Sequence, residues 1–130
     1  MKKQIFFIGL LVALTIVLSC EKTVEIPKYT CNLQTISNIN SLEQIEVTYK
    51  LEATGDYTVS SWYYFGENGK VEISLPSLPS EIVVTLSNQT LLRAGAIGEI
   101  VNGSISVSYN AVAADTSFFG IDQCVQFLNK

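Results

Sequence analysis

The chain has no histidine, one tryptophan and a single methionine at its start. Without an imidazole there is no ordinary general base at neutral pH, no Ser-His-Asp or Cys-His arrangement and no histidine-based metal site. A phosphate loop, a dinucleotide fingerprint, a calcium loop and a Cys-x-x-Cys are missing as well. Acidic residues remain as a conceivable glycosidase pair, but such a pair must face a cleft at roughly 5 to 9.5 Å. Glu46 and Glu52 fall instead on the solvent side of one strand pattern, where solvated surface charge is the simpler reading. These absences point to a non-enzymatic protein with no cofactor, no metal and no catalytic residue. Helical periodicity is also absent after residue 19, which leaves strands as the structural unit.

What is present begins with Lys2 and Lys3, an apolar run from Ile5 to Leu18, then Ser19 and Cys20. A charged start, an apolar middle and a small residue at the cut are the parts of a secretory signal peptide, and the run is short for a hydrocarbon core of roughly 30 Å. Val17-Leu18-Ser19-Cys20 resembles the lipobox of bacterial lipoproteins. The resemblance implies cleavage before Cys20 and fatty acyl chains, palmitate among them, on that cysteine, enough for stable membrane attachment. An ordinary signal peptide with an incidental cysteine, or an uncleaved signal anchor, are the alternatives. Loss of residues 1–19 takes two of the eight basic residues with it, leaving six against twelve acidic ones. That balance disfavours nucleic acid and anionic lipid surfaces, which select basic patches.

With Cys20 assigned to lipid, Cys31 and Cys124 are the remaining pair in a chain bound for an oxidising compartment, and a disulfide between them is expected. It would join the two ends of the domain and contribute roughly 4 kcal/mol. Two free buried thiols are the alternative. The organisation that follows is a signal peptide over 1–19, a lipidated tether over 20–30 that contains Pro27, and one domain over 31–130.

Within that domain the pattern is strand after strand. Ile45, Val47, Tyr49, Leu51 and Ala53 alternate with polar neighbours, and Gly55-Asp56 reads as a turn. Residues 57–65, YTVSSWYYF, form a second strand that ends at the hairpin signal Gly66-Glu67-Asn68-Gly69. A strand over 70–75 is broken by Pro76 and Pro79, whose segment crosses between sheets. Strands over 82–87 and 90–101 are separated by Asn88-Gln89, and Gly95 and Gly98 mark a bulge or a close backbone approach. Asn102-Gly103 reads as another hairpin turn before the cleanest amphipathic strand, with Ile105, Val107, Tyr109 and Ala111 on one face. The last strand covers about 117–127. About seven strands with turns at short intervals imply an all-β antiparallel sandwich, with a barrel as the competitor.

Several of these features, taken together, resemble the MmpS family of small membrane-anchored proteins and related Bacteroidota lipoproteins. They are Val47-Thr48-Tyr49-Lys50-Leu51 with Gly55, Trp62-Tyr63-Tyr64 leading to Gly66 and Gly69, Leu78-Pro79-Ser80 before Ile82-Val83-Val84, Gly103-Ser104-Ile105-Ser106-Val107 and a late cysteine. Ser80 stands where that family commonly has a tryptophan, and Tyr109-Asn110-Ala111 lacks its Asp-Gly hairpin. The resemblance implies an immunoglobulin-like sandwich of about seven strands and, in mycobacteria, assistance to lipid exporters. It supplies no catalytic residue.

The segment that invites a binding role is Ser61-Trp62-Tyr63-Tyr64-Phe65, because alternation sends its aromatics to both faces. If Val59, Tyr63 and Phe65 point inward, Trp62 and Tyr64 make an exposed strip suited to sugar rings, lipid chains or protein partners. Cross-strand packing, or cover by the tether, is the competing reading. The expected function is therefore a lipid-anchored interaction or accessory domain of the bacterial cell envelope, at the outer membrane rather than the inner, with an envelope protein as partner. The alternative is a surface lipoprotein that binds a glycan or lipid through that strip.

Overall fold

Residues 45–66 and 91–113 carry the longest alternating patterns, and each is one strand. The computed structural model describes residues 21–39, 43–87 and 91–129 and contains six strands, all antiparallel. They are β1 (Tyr29–Asn38), β2 (Ile45–Gly66), β3 (Gly69–Ser74), β4 (Ser80–Leu86), β5 (Leu91–Ala113) and β6 (Thr116–Gln126). The signal peptide, Cys20 and the Asn88-Gln89 turn lie outside the described residues. At 22 and 23 residues, β2 and β5 are far longer than an ordinary strand of about 5–6. They pair along nearly their whole length, from Glu46 opposite Val112 to Tyr64 opposite Ala94. The other edge of β2 carries β4 on its first half and β3 on its second, and the other edge of β5 carries β1 and then β6.

This ribbon is folded over on itself. Cys31 sits opposite Gly98 and Cys124 opposite Ile105, seven steps apart on β5, or about 24 Å along a straight strand. Yet the two cysteines are bonded, with Cα atoms 5.9 Å apart. One layer therefore consists of β4, the first half of β2, the second half of β5 and β6; the other consists of β3, the second half of β2, the first half of β5 and β1. The all-β antiparallel sandwich expected from the pattern is present, built from six strands of one sheet. The proline-bearing segment between β3 and β4 crosses from one layer to the other, as its sequence suggests.

Gly55 and Gly103 permit the fold. They face each other in the ladder with φ of 82° and 143°, and a Cβ on Gly103 would lie 1.9 Å from the Thr54 carbonyl oxygen. The expectation of turns at Gly55-Asp56 and Asn102-Gly103 is thus corrected: both pairs sit inside bent strands. A glycine in the left-handed region serves a sharp bend as well as a hairpin, and the local signal is the same. Two bulges add to the bend. Val101 has no opposite number between the pairs Asp56–Asn102 and Tyr57–Ile100, and Ser60 has none between Val59–Gly98 and Ser61–Ile97.

The core fills the space between the layers. Val47, Tyr49, Leu51, Ile105, Val107 and Tyr109 from one layer meet Leu33, Trp62, Tyr64, Leu92 and Ile100 from the other, all buried. Ala94 and Ala96 on β5 make room for the Tyr64 and Trp62 rings opposite, and Gly98 lets the Thr58 carbonyl and the Ile105 side chain approach. Tyr49 lies 5.4 Å from Tyr64, ring to ring, and Tyr64 lies 5.6 Å from Trp62. The Tyr49 hydroxyl crosses the core and donates to the Phe65 carbonyl at 2.9 Å, tying the two halves of β2 together. β1 has the weakest signal in the sequence, because its buried face is only Cys31, Leu33 and Thr35. At the seam where β1 approaches β6, Asp122 accepts from the Gln34 N–H at 2.8 Å and from the Gln123 N–H at 2.9 Å.

Replacing both Cys31 and Cys124 with alanine is expected to lower the unfolding free energy by about 4 kcal/mol, since the bridge closes a 93-residue loop. A shift in the urea midpoint measures it, and a loss below about 1 kcal/mol would show that the bend holds without this clamp. Burial pushes the Tyr49 phenol up to about 12. A group raised above its unfolded value of about 10 keeps its stabilising effect in full below that pH and loses it as pH climbs to the folded value. Ultraviolet titration is expected to show the Tyr49 phenol still protonated near pH 11. Tyr49→Phe should abolish that signal and cost about 1 kcal/mol at neutral pH.

Candidate functional site

The aromatic run was expected to expose Trp62 and Tyr64, and the structure corrects this. Trp62 is 2% exposed and Tyr64 6%, both in the core. The unpaired Ser60 is the reason: one extra residue between Val59 and Trp62 shifts the alternation, so that both can face inward. The Trp62 indole N–H finds no hydrogen-bond partner among the described residues, so packing alone holds the ring. Tyr63 and Phe65 take the outer face instead, half-buried. Tyr63 lies across Gly95, where a Cβ would come within 2.5 Å of its ring. Lys70 caps that ring at 4.5 Å, and the Arg93 guanidinium lies 5.9 Å from both Tyr63 and Phe65. Glycine, ring and cation complete a cross-strand packing unit and leave little open aromatic surface.

An open apolar surface occurs elsewhere, on β6. The disulfide fixes Cys124 inward, and Gly120 must also face inward because the Tyr109 ring occupies the place of a Cβ there. Alternation then sends Phe119, Ile121 and Val125 outward, at 66%, 56% and 43% exposure. Neither constraint is visible in the hydrophobic pattern of TSFFGIDQCVQ. Combining the predicted disulfide with period-two alternation would have found these residues.

These side chains border a graded surface. Across the outer face of their layer, one row runs Val83, Thr48, Asn110, Phe119, and the next runs Glu81, Lys50, Ser108, Ile121. The face is therefore mixed at the β4 edge, where exposed Val83 stands beside the charged Glu81, hydroxyl and amide in the middle with the Lys50 ammonium, and apolar at the β6 edge. A depression of about 550 Å³ lies over these two rows and is bounded by Glu52. Lys50 and Glu81 form an ion pair at 3.0 Å, and that carboxylate holds the Lys50 ammonium above its usual range. Glu46 and Glu52 lie on the same outer face as Lys50, as expected from the alternation. The serines of β5 supply the polar middle; Ser104 shares a 2.9 Å hydrogen bond with Thr54.

Cys31 and Cys124 are paired as expected, and Cys20 lies outside the described residues. No group of three or more Cys, Asp or Glu side chains suited to a metal occurs among the described residues. No family model matches the chain, and neither a curated protein nor a solved structure matches it.

Trp62 is expected to emit as a buried indole, to resist acrylamide quenching, and to cost about 3–5 kcal/mol when replaced by alanine. Solvent-like emission from the folded protein would return the strip to the surface.

Proposed function

We propose that this chain is a non-enzymatic interaction domain of the bacterial cell envelope, tethered through lipid on Cys20, which binds a protein partner on the outer face of the layer formed by β4, β2, β5 and β6. The observation that carries this reading is the exposure of Phe119 and Ile121 as neighbours on the outer face of β6, in the stretch before the β1 seam, where no further strand pairs with β6 among the described residues. Large apolar side chains grouped on one face are characteristic of interaction surfaces, and an unpaired strand edge adds backbone donors and acceptors. The polar middle of the face supplies register, and the Lys50–Glu81 pair lies at the rim, where charge sets orientation more than affinity. An accessory role beside an exporter, implied by the MmpS resemblance, is one form of this function, and the outer membrane is the proposed location.

The depression supports a second reading. The Phe119 ring beside the Asn110 amide and the Ser108 and Thr48 side chains matches the mixed apolar and hydrogen-bonding surface of a polyhydroxylated ligand such as a glycan.

Pull-down of the lipidated protein from native envelopes tests both. The double substitution Phe119→Ser and Ile121→Ser is expected to reduce capture of a protein partner at least tenfold, equivalent to roughly 1.4 kcal/mol. Its unfolding midpoint should stay close to that of the parent, because exposed positions shift stability by only about 0.5 kcal/mol. Undiminished capture by the variant would move the interface elsewhere. Glycan binding lost in the same variant, with no protein recovered by the parent, would favour the second reading.

A further inference from the structure

The bend of the sandwich is the second place where apolar side chains gather in solvent, and they come from three separate parts of the chain. β1 starts at Tyr29, opposite Ile100, and β6 ends at Gln126, opposite Gly103, so the tether and the C-terminal tail both meet the molecule at the bend. Lys28 reaches Glu99 at 3.6 Å, and the Leu128 N–H donates to the Asn102 side-chain oxygen at 3.4 Å. The Ile26–Pro27 stretch of the tether shares a surface hollow with Val101. From the opposite side of the ribbon, the β3–β4 connection brings Leu75 to the same end, where its N–H bonds the Ser60 carbonyl at 2.9 Å. Ile26, Tyr29, Leu75 and Phe127 are 57%, 55%, 75% and 69% exposed. The far end of the sandwich holds the Gly66–Gly69 hairpin and the β5–β6 turn instead.

We infer that this bend is a membrane seat: Ile26, Tyr29, Leu75, Phe127 and Leu128 rest in the interfacial region of the bilayer to which Cys20 is attached, and the sandwich stands on its bend with the Gly66–Gly69 hairpin pointing away. The inference rests on the lipid anchor proposed above and adds an orientation to it. Residues 21–28 are all that separate Cys20 from β1, a reach of at most about 32 Å when fully extended. The bend is therefore the part of the domain held closest to the lipid. Apolar and aromatic side chains at that depth gain area burial without crossing the bilayer. The charges at this end, Glu21, Lys22 and Glu25 of the tether with the Lys28–Glu99 pair and the exposed carboxylate of Asp56, give no basic excess, so the surface it fits is zwitterionic rather than anionic.

The test uses lipidated protein in phosphatidylcholine vesicles with and without brominated acyl chains. It compares Phe127→Trp with Asn68→Trp, and the unsubstituted protein supplies the buried Trp62 background. Flotation with the vesicles reports the anchor, and quenching reports the seat. Emission of the Phe127→Trp variant is expected to fall about twofold in brominated vesicles, with that of Asn68→Trp unchanged. Flotation with no quenching at 127, or with equal quenching at 127 and 68, overturns the seat and leaves the anchor standing. Protein that stays out of the floated fraction overturns both.

Discussion

Gly55 and Gly103 face each other where the β2–β5 ribbon folds, and neither has room for a side chain. A two-stranded ribbon of this length would otherwise extend with both faces in water and could not bury its apolar residues. Folding it back converts the apolar alternation of Ile45–Leu51 and Ile105–Ala111 into half of a core, with Trp62, Tyr64 and Leu92 as the other half. The remaining strands then have only to widen the two halves. The bridge between Cys31 and Cys124 holds the halves together close to the fold, and the Tyr49 hydroxyl does so from within, at the Phe65 carbonyl. Bend, bridge and hydrogen bond act on the same degree of freedom, the opening of the ribbon.

Much of this was legible in the sequence where alternation is undisturbed. The inward faces of Ile45–Leu51 and of Ile105–Ala111 follow from period two alone, and the Cys31–Cys124 pairing follows from counting cysteines once Cys20 is set aside for the expected lipid. What was not legible depends on single residues that change parity or direction. Ser60 adds one step and moves Trp62 from the expected surface into the core. Gly55 and Gly103 read locally as turns, and only their position opposite each other makes them a bend in two continuous strands. On β6 the covalent demand of Cys124 and the ring of Tyr109 against Gly120 override hydrophobic patterning, so Phe119 and Ile121 are left outside. Long-range contacts decided each of these outcomes, and no window of a dozen residues contains them.

The sheet edges show the same division between stability and use. β3 places Lys70 and Glu72 on an edge strand, joined at 3.0 Å, which discourages another strand from pairing there. At the β1–β6 seam one carboxylate serves two edges, since Asp122 takes the Gln34 and Gln123 amides at once. An inward acidic side chain that satisfies edge amides blunts the edge near the disulfide. The stretch of β6 before it, from Thr116 to Ile121, carries no charged side chain and has Phe119 and Ile121 exposed. Protection is concentrated at one end of β6 and absent at the other, which is the distribution expected if only the second end meets a partner.

The two proposed surfaces lie at different distances from the bend, and their separation has a geometric consequence. Strands leave the bend along the sandwich axis, and Phe119 pairs with Asn110, seven residues past Gly103, or about 24 Å from the bend. With the bend seated on a bilayer, the face bearing Phe119 and Ile121 stands roughly perpendicular to the membrane and opens sideways at that height. A partner engaging it must itself be at the envelope surface and rise to about 24 Å or more above the lipid interface. The seat would make that encounter nearly two-dimensional: with orientation fixed and the tether short, a partner in the same membrane meets the face at a high effective concentration. A modest apolar strip, too small to hold a free protein in dilute solution, is then sufficient.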